Sequence, residues 1–100
     1  MVHPRHGLDD AFQTPIRFSL MAALGHRTEV DFATLRDVLE ANDSVLSKAI
    51  SYLEKVGYVQ VTKGNVGNRS RTWVESTVKG HRAFQIHLLA LRTISEGYLD

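Results

Sequence analysis

Residues 42–59 read Asn-Asp-Ser-Val-Leu-Ser-Lys-Ala-Ile-Ser-Tyr-Leu-Glu-Lys-Val-Gly-Tyr-Val, and the periodicity of this stretch decides the fold. Leu46, Ala49, Ile50, Leu53 and Val56 recur at helical spacing and form one apolar stripe. The opposite face carries Ser44, Ser47, Lys48, Ser51 and Lys55, so it is short, polar and basic. Asn42, Asp43 and Ser44 all suit an N-cap, and Gly57 suits a helix stop. A helix ending near Val56 follows, buried on one side and smooth on the other.

On the N-terminal side, Thr14 as N-cap and Pro15 at the first helical position open a helix running from Ile16 to Leu24. Ile16, Leu20, Met21 and Leu24 share its inner face, and Gly25 ends it. Thr28 to Asp31 is β-branched and long enough only for a small edge strand. Asp31 then suits the N-cap of a second helix, Phe32 to Glu40, with Phe32, Leu35, Val38 and Leu39 inward. Residues 1–13 read as an arm, loose to residue 7, with a helical turn or two from Leu8 to Gln13.

On the C-terminal side, Tyr58 to Lys63 alternates with period two, Gly64 to Arg71 is turn-rich, and Thr72 to Ser76 is strand-like again. That order predicts a β-hairpin with a broad flexible tip. Thr77 caps a last helix from Val78 to about Tyr98. Leu8 and Phe12 from the arm, with Phe84, His87, Leu88, Leu91, Ile94 and Tyr98 from this helix, supply more apolar surface than a small monomer should expose. These eight residues are the expected interface of a symmetric homodimer. The fold class is therefore α+β, mostly α. It is a winged helix-turn-helix with a three-helix core, a hairpin wing and a long C-terminal dimerisation helix (78–98), all in one domain spanning 1–100.

Composition narrows the function. Of 100 residues 43% are hydrophobic and 23% charged, a globular balance rather than a disordered one. With no cysteine, disulfides, thiolate metal sites and thiol nucleophiles are excluded. No apolar run reaches a membrane span and the first ten residues lack a signal-peptide core, so a cytoplasmic protein without a membrane partner is expected. Net charge is only +1, but it is segregated. Residues 1–43 hold four basic and seven acidic side chains, 44–82 seven and two, and 83–100 one and two. A basic central segment points to an anionic partner, nucleic acid first.

A helix that enters a major groove needs short side chains and hydrogen-bond donors, which Ser44, Ser47, Lys48 and Ser51 offer behind Asn42. On the hairpin, Lys63, Asn65, Asn68, Arg69 and Arg71 are placed to grip phosphates or a minor groove, with no acid between Gly64 and Thr72. These ten residues are the expected contacts to double-stranded DNA. No zinc-ligand spacing occurs: His3 and His6 lie in the arm, His26 stands alone, and His81 and His87 fall on different helix faces. No nucleophile elbow or phosphate-binding glycine loop is present, so neither catalysis nor a cofactor is expected.

Val30 to Leu39, Leu46-Ser-Lys-Ala-Ile-Ser-Tyr-Leu-Glu-Lys-Val-Gly-Tyr-Val59, Arg71-Thr-Trp73 and Thr77-Val-Lys-Gly80 together resemble small winged-helix transcriptional regulators related to the MarR and ArsR families. The resemblance covers about residues 14–90. It implies a homodimer paired through its terminal helices, with the third helix of each subunit in successive major grooves, wings flanking them, and room for an unidentified small-molecule effector. This chain departs from the family at Ala49, where a longer polar residue is common, and at Val78, where proline is common. The competing expectation is a winged-helix module that binds protein instead of DNA.

Overall fold

The structure, a computed structural model, describes residues 2–26 and 29–97. Two short 3-10 turns, Pro4–Gly7 and Asp10–Phe12, precede helix α1 (Pro15–Leu24). Then come β1 (Val30–Asp31), α2 (Phe32–Leu39), α3 (Asp43–Lys55), β2 (Val59–Val66), β3 (Arg69–Ser76) and α4 (Val78–Ser95). The three strands form one antiparallel sheet in the order β1-β3-β2. This is the winged helix-turn-helix layout, mostly helical with a small sheet. No helix among the described residues is long and apolar enough to cross a membrane.

Local chemistry sets the helix starts. Thr14 Oγ1 accepts the Arg17 N–H at 3.3 Å with Pro15 in the first turn. Asn42 Oδ1 accepts the Val45 N–H at 2.9 Å, and Thr77 Oγ1 accepts the Gly80 N–H at 2.9 Å. Each satisfies a donor that the helix itself leaves unpaired. Asp31 occupies the cap position of α2 but makes no side-chain cap; its carboxylate accepts the Thr34 hydroxyl instead. At the other end of α2, Glu40 takes a left-handed φ of 51°, the only positive φ among the described non-glycine residues.

Leu20, Met21 and Leu24 of α1, Leu35 of α2, Leu46 and Leu53 of α3, and Val59 and Val74 of the sheet are almost fully buried together. Each such side chain contributes about 1.5–3 kcal/mol by leaving water. Phe12 joins them from the second 3-10 turn. It stacks on Tyr58 at 5.2 Å and meets Phe84 edge-on at 5.1 Å.

Five expectations need correction. Val38, read as inward on α2, is 64% exposed, and Leu35 is the residue of that face that is fully buried. The arm is not loose: Pro4–Gly7 packs along α4, where a Cβ on Gly7 would stand 3.1 Å from the Ala90 Cβ. The hairpin has no broad tip. Pairing continues to Val66↔Arg69, leaving only Gly67 and Asn68 as the turn. Gly67 has φ +63°, the pattern of a two-residue II′ connection. The last helix ends at Ser95, and Tyr98 lies outside the described residues. Finally, Phe12, Phe84 and His87 are 2%, 6% and 1% exposed within the single chain, so they belong to its own core and cannot be a surface for a second copy. The arm and α1 cover that face of α4. Leu8, Leu88 and Ile94 are half-buried, and the freely exposed apolar residues of α4 are Val78, Ile86, Leu89 and Leu91.

The end of α3 is fastened to the start of α4 backbone against backbone. Gly57 takes φ +84° after the helix, and the Tyr58 N–H returns to the Leu53 carbonyl at 2.8 Å. The Tyr58 carbonyl accepts the Thr77 N–H at 3.1 Å, while the Thr77 hydroxyl donates to the Gly57 carbonyl at 2.7 Å. Lys79 Nζ donates to the Val56 carbonyl at 3.1 Å. Gly80 sits so close that a Cβ there would lie 2.0 Å from the Tyr58 carbonyl oxygen.

A polar chain runs on from this joint. The Tyr58 hydroxyl donates to Asp9 Oδ2 at 2.6 Å, and the Asp9 N–H donates to His87 Nδ1 at 2.9 Å. The bond to Asp9, with some burial, pushes the Tyr58 hydroxyl up to about 12. Burial pushes the His87 imidazole below its ordinary value, against the weaker pull of the Asp9 carboxylate. His87 is thus a packed, neutral histidine that accepts at Nδ1.

Candidate nucleic-acid interface

Two elements build the basic surface. On α3, at about 100° per residue, Ser44, Lys48, Ser51 and Lys55 form the centre line of the face opposite Leu46, Ile50 and Leu53. All four are exposed. Ser47 and Glu54 lean towards the wing, and Asn42 is exposed just before the helix with its side-chain Oδ1 used as the cap. The small serines leave the helix backbone approachable over its first two turns.

The wing has two unlike faces, because residues paired across antiparallel strands share a side. Val61↔Val74, Lys63↔Thr72 and Asn65↔Ser70 lie on one face, continuous with the core through the buried Val74. This face looks at α3: Ser47, Ser51 and Glu54 line one depression with Lys63, Thr72, Val61, Phe32 and Ile50. Thr62↔Trp73, Gly64↔Arg71 and Val66↔Arg69 lie on the other face. There Trp73 lies across Gly64, whose missing side chain gives the ring room: a Cβ would stand 3.1 Å from the ring edge.

The expected DNA residues therefore divide. Ser47, Ser51 and Lys63 come together, with Ser44 and Lys48 beside them on α3 and Asn65 further out on the wing. Arg69 and Arg71 stand on the reverse of the ribbon, and Asn68 is at its turn. Arg69 and Arg71 share a second depression with Asp31, Phe32, Ala33, Ser70 and Thr72. The Thr34 hydroxyl, with a smaller contribution from the Arg71 charge, holds the Asp31 carboxyl below the usual carboxylate range.

Three residues of this surface were missed as site residues. Lys55 extends the Lys48 line by two turns; its i+7 spacing was available in the sequence. Glu54 and Asp31 are the acids of the surface. Asp31 reaches the arginines only because β1 pairs with β3, Asp31 opposite Trp73. Arg36 of α2 reaches across the α2–α3 turn to Asp43, 3.0 Å away, and that carboxylate pushes its guanidinium above its ordinary value.

Among the described residues no three metal-ligating side chains gather. His26, expected to stand alone, does not: its ring lies against that of His81, with centroids 3.7 Å apart.

Known proteins agree with this architecture. Residues 16–95 match the family described as winged helix DNA-binding domain. A structure of a transcriptional regulator homologue from Pyrococcus horikoshii OT3 is 26% identical, covers both chains completely and superposes with a TM-score of 0.86. An uncharacterised protein of Methanocaldococcus jannaschii is 26% identical over 85 residues, 85% of this chain and 92% of its own. The M. tuberculosis transcriptional regulator MOSR, solved in complex with DNA, shares the fold: TM-score 0.71 at 19% identity, over 95% of this chain and 68% of that one. This is a family of DNA-binding domains, not of enzymes. With four-fifths of its length inside the match, and with the helix-turn-helix and wing in place, the chain belongs to the winged helix DNA-binding domain family.

Proposed function

We propose that the protein is a cytoplasmic, homodimeric transcriptional regulator that binds double-stranded DNA. The observation that carries this reading is the exposed line Ser44, Lys48, Ser51 and Lys55 of α3 beside the Lys63 face of the wing. In this reading α3 enters the major groove, where Lys48 and the serines meet base edges and phosphates, and Lys55 meets the backbone. The wing lies along the flanking groove. Lys63 and Asn65 face the wall nearer α3, and Arg69 and Arg71 the wall beyond it. Asn42 and Asn68 bound the surface at its two ends.

The dimer in this reading uses what α4 leaves uncovered. Ile86 and Leu89, 55% and 62% exposed and about 60° apart around the helix, form the apolar surface for a second copy. Leu91, 37% exposed, and the half-buried Leu88 and Ile94 lie further round the helix, and the half-buried Leu8 lies on the arm. Two basic faces on one duplex offset the small number of phosphate contacts each subunit offers.

The test is binding to random-sequence and genomic duplexes across a salt series, for the wild type and for Arg69→Ala with Arg71→Ala. The wild type should bind more weakly as salt rises, with a steep linear log–log slope. The double variant should bind every duplex less well and flatten that slope by about one to two units. An unchanged slope removes the reverse face of the wing from the interface. No retention of any duplex at low salt overturns DNA binding and leaves the protein-binding module.

A further inference from the structure

His26 follows the C-terminal glycine of α1, and His81 lies in the first turn of α4, 55 positions away in sequence. Their imidazole centroids are 3.7 Å apart and their planes are tilted by 51°. His26 is exposed and His81 half-buried, so the pair opens to solvent. Among the described residues, the mutual ring contact is what the structure records for both side chains. Two imidazoles in contact bring their ring nitrogens to one point of the surface, which is donor chemistry for a borderline divalent cation.

The platform beneath the pair is rigid. The Ser76 hydroxyl donates to the Gly25 carbonyl at 2.9 Å, pinning the residue before His26 to the strand that leads into α4. His81 stands one residue after Gly80, whose position is fixed against the Tyr58 backbone, and its own N–H is bonded to the Thr77 carbonyl at 2.9 Å. Lys79 is engaged with the Val56 carbonyl and the Tyr58 ring. A cation taking one nitrogen from each ring at about 2.0–2.1 Å seats the rings somewhat further apart than they now stand, an adjustment of side-chain torsions at a solvent-facing site.

We propose that His26 and His81 form a binding site for a divalent transition-metal ion of the zinc or nickel kind, with water completing its coordination. The site joins the end of α1 to the start of α4, so an occupied site cross-links two elements far apart in the chain. Binding favours the folded state in proportion to occupancy, because the unfolded chain does not hold the two rings together. The α4 start is fastened to the α3 end through Thr77, Gly80 and Tyr58, so the metal would also act where the proposed regulator holds its DNA-facing helix. Metal binding itself does not depend on that reading, and the first experiment is read without DNA.

The untagged full chain is titrated calorimetrically with zinc chloride and, separately, nickel chloride in a non-chelating buffer near neutral pH, and its melting temperature is followed with each metal. The expected result is one ion per chain, a melting temperature that rises with metal, and affinity reduced by more than about tenfold in His26→Ala and in His81→Ala. A variant with both His3 and His6 replaced by Ala should bind as the wild type does. The proposal is overturned by an absence of binding to the wild type, by unchanged binding in His26→Ala or His81→Ala, or by loss of binding in the His3 and His6 variant. Circular dichroism of each unliganded variant confirms that the fold is retained; should His81→Ala fail to fold, His81→Gln takes its place under the same criteria.

Discussion

The two ends of α3 are built in opposite ways. At its start, the turn from α2 runs over the surface through a left-handed Glu40 and an Asn42 cap. An exposed ion pair, Arg36 to Asp43 at 3.0 Å, spans it. Exposed pairs of this kind are screened and hold little. At its far end, main chain meets main chain: Gly57 and Tyr58 against Thr77 and Gly80, with the Tyr58 hydroxyl tied on to Asp9 and His87. The near end is held by the burial of Leu46 and by its cap, the far end by main-chain bonds as well. The serines of the first turns therefore stand on a helix whose axis is fixed by the body of the protein, beside a connection whose cap and ion pair are exposed.

The sharpest break of this contrast is Gly80→Ala. The added methyl group would stand 2.0 Å from a carbonyl oxygen that cannot rotate away, so the α3–α4 joint must open. A loss of at least about 3 kcal/mol in urea-unfolding stability is expected. A loss below 1 kcal/mol would mean, on the scale of ordinary surface substitutions, that the joint is loose.

His87→Gln probes the same end more gently, since glutamine keeps an acceptor for the Asp9 N–H but does not titrate. Burial lowers the His87 value in the folded chain below its ordinary 6.5. The unfolded chain therefore binds the proton more readily. The stability from neutral His87 is fully present above that ordinary value, and is lost progressively as pH falls from there towards the folded-state value. Unfolding midpoints measured between about pH 5 and pH 8 should slope more steeply for the wild type than for the variant. Parallel slopes would assign the acid sensitivity elsewhere.

The smallest effect is expected at the near end. Glu40→Gly relieves a left-handed φ that a side chain disfavours, and the gain is partly offset by the freer unfolded glycine. The net result should be a rise of about 0.5–1 kcal/mol. A fall instead would show that the Glu40 side chain contributes to the turn.

The parts of this architecture that were legible in the sequence are those decided within one or two turns of chain. Thr14-Pro15, Asn42 and Thr77 announce their helices because a cap is a contact over three residues, and the Leu46 to Leu53 stripe announces its buried side. The misread parts depend on distant partners. Gly64 and Asn65 look like loop residues, yet pairing with Arg71 and Ser70 makes them strand. A helical stripe tells that Phe84 and His87 are buried, but not that this chain's own arm and α1 do the burying. His26 meets His81, and Asp31 comes beside Arg71, only through the closing of α1 on α4 and of β1 on β3. Of the basic surface, the α3 serines and Lys48 were readable from periodicity; the division of the wing into a Lys63 face and an Arg71 face required the strand register.

That register limits how the wing can change. With a two-residue turn and alternating sides, deleting or inserting a single residue in β2 or β3 would exchange the lysine-bearing and arginine-bearing sides beyond that point, unless a bulge absorbed it. Variation in the length of this ribbon is thus confined to matched pairs of residues, one on each strand for every step. A wing shortened by two such steps would lose the Asn65–Ser70 and Val66–Arg69 rungs while leaving Lys63 where it stands.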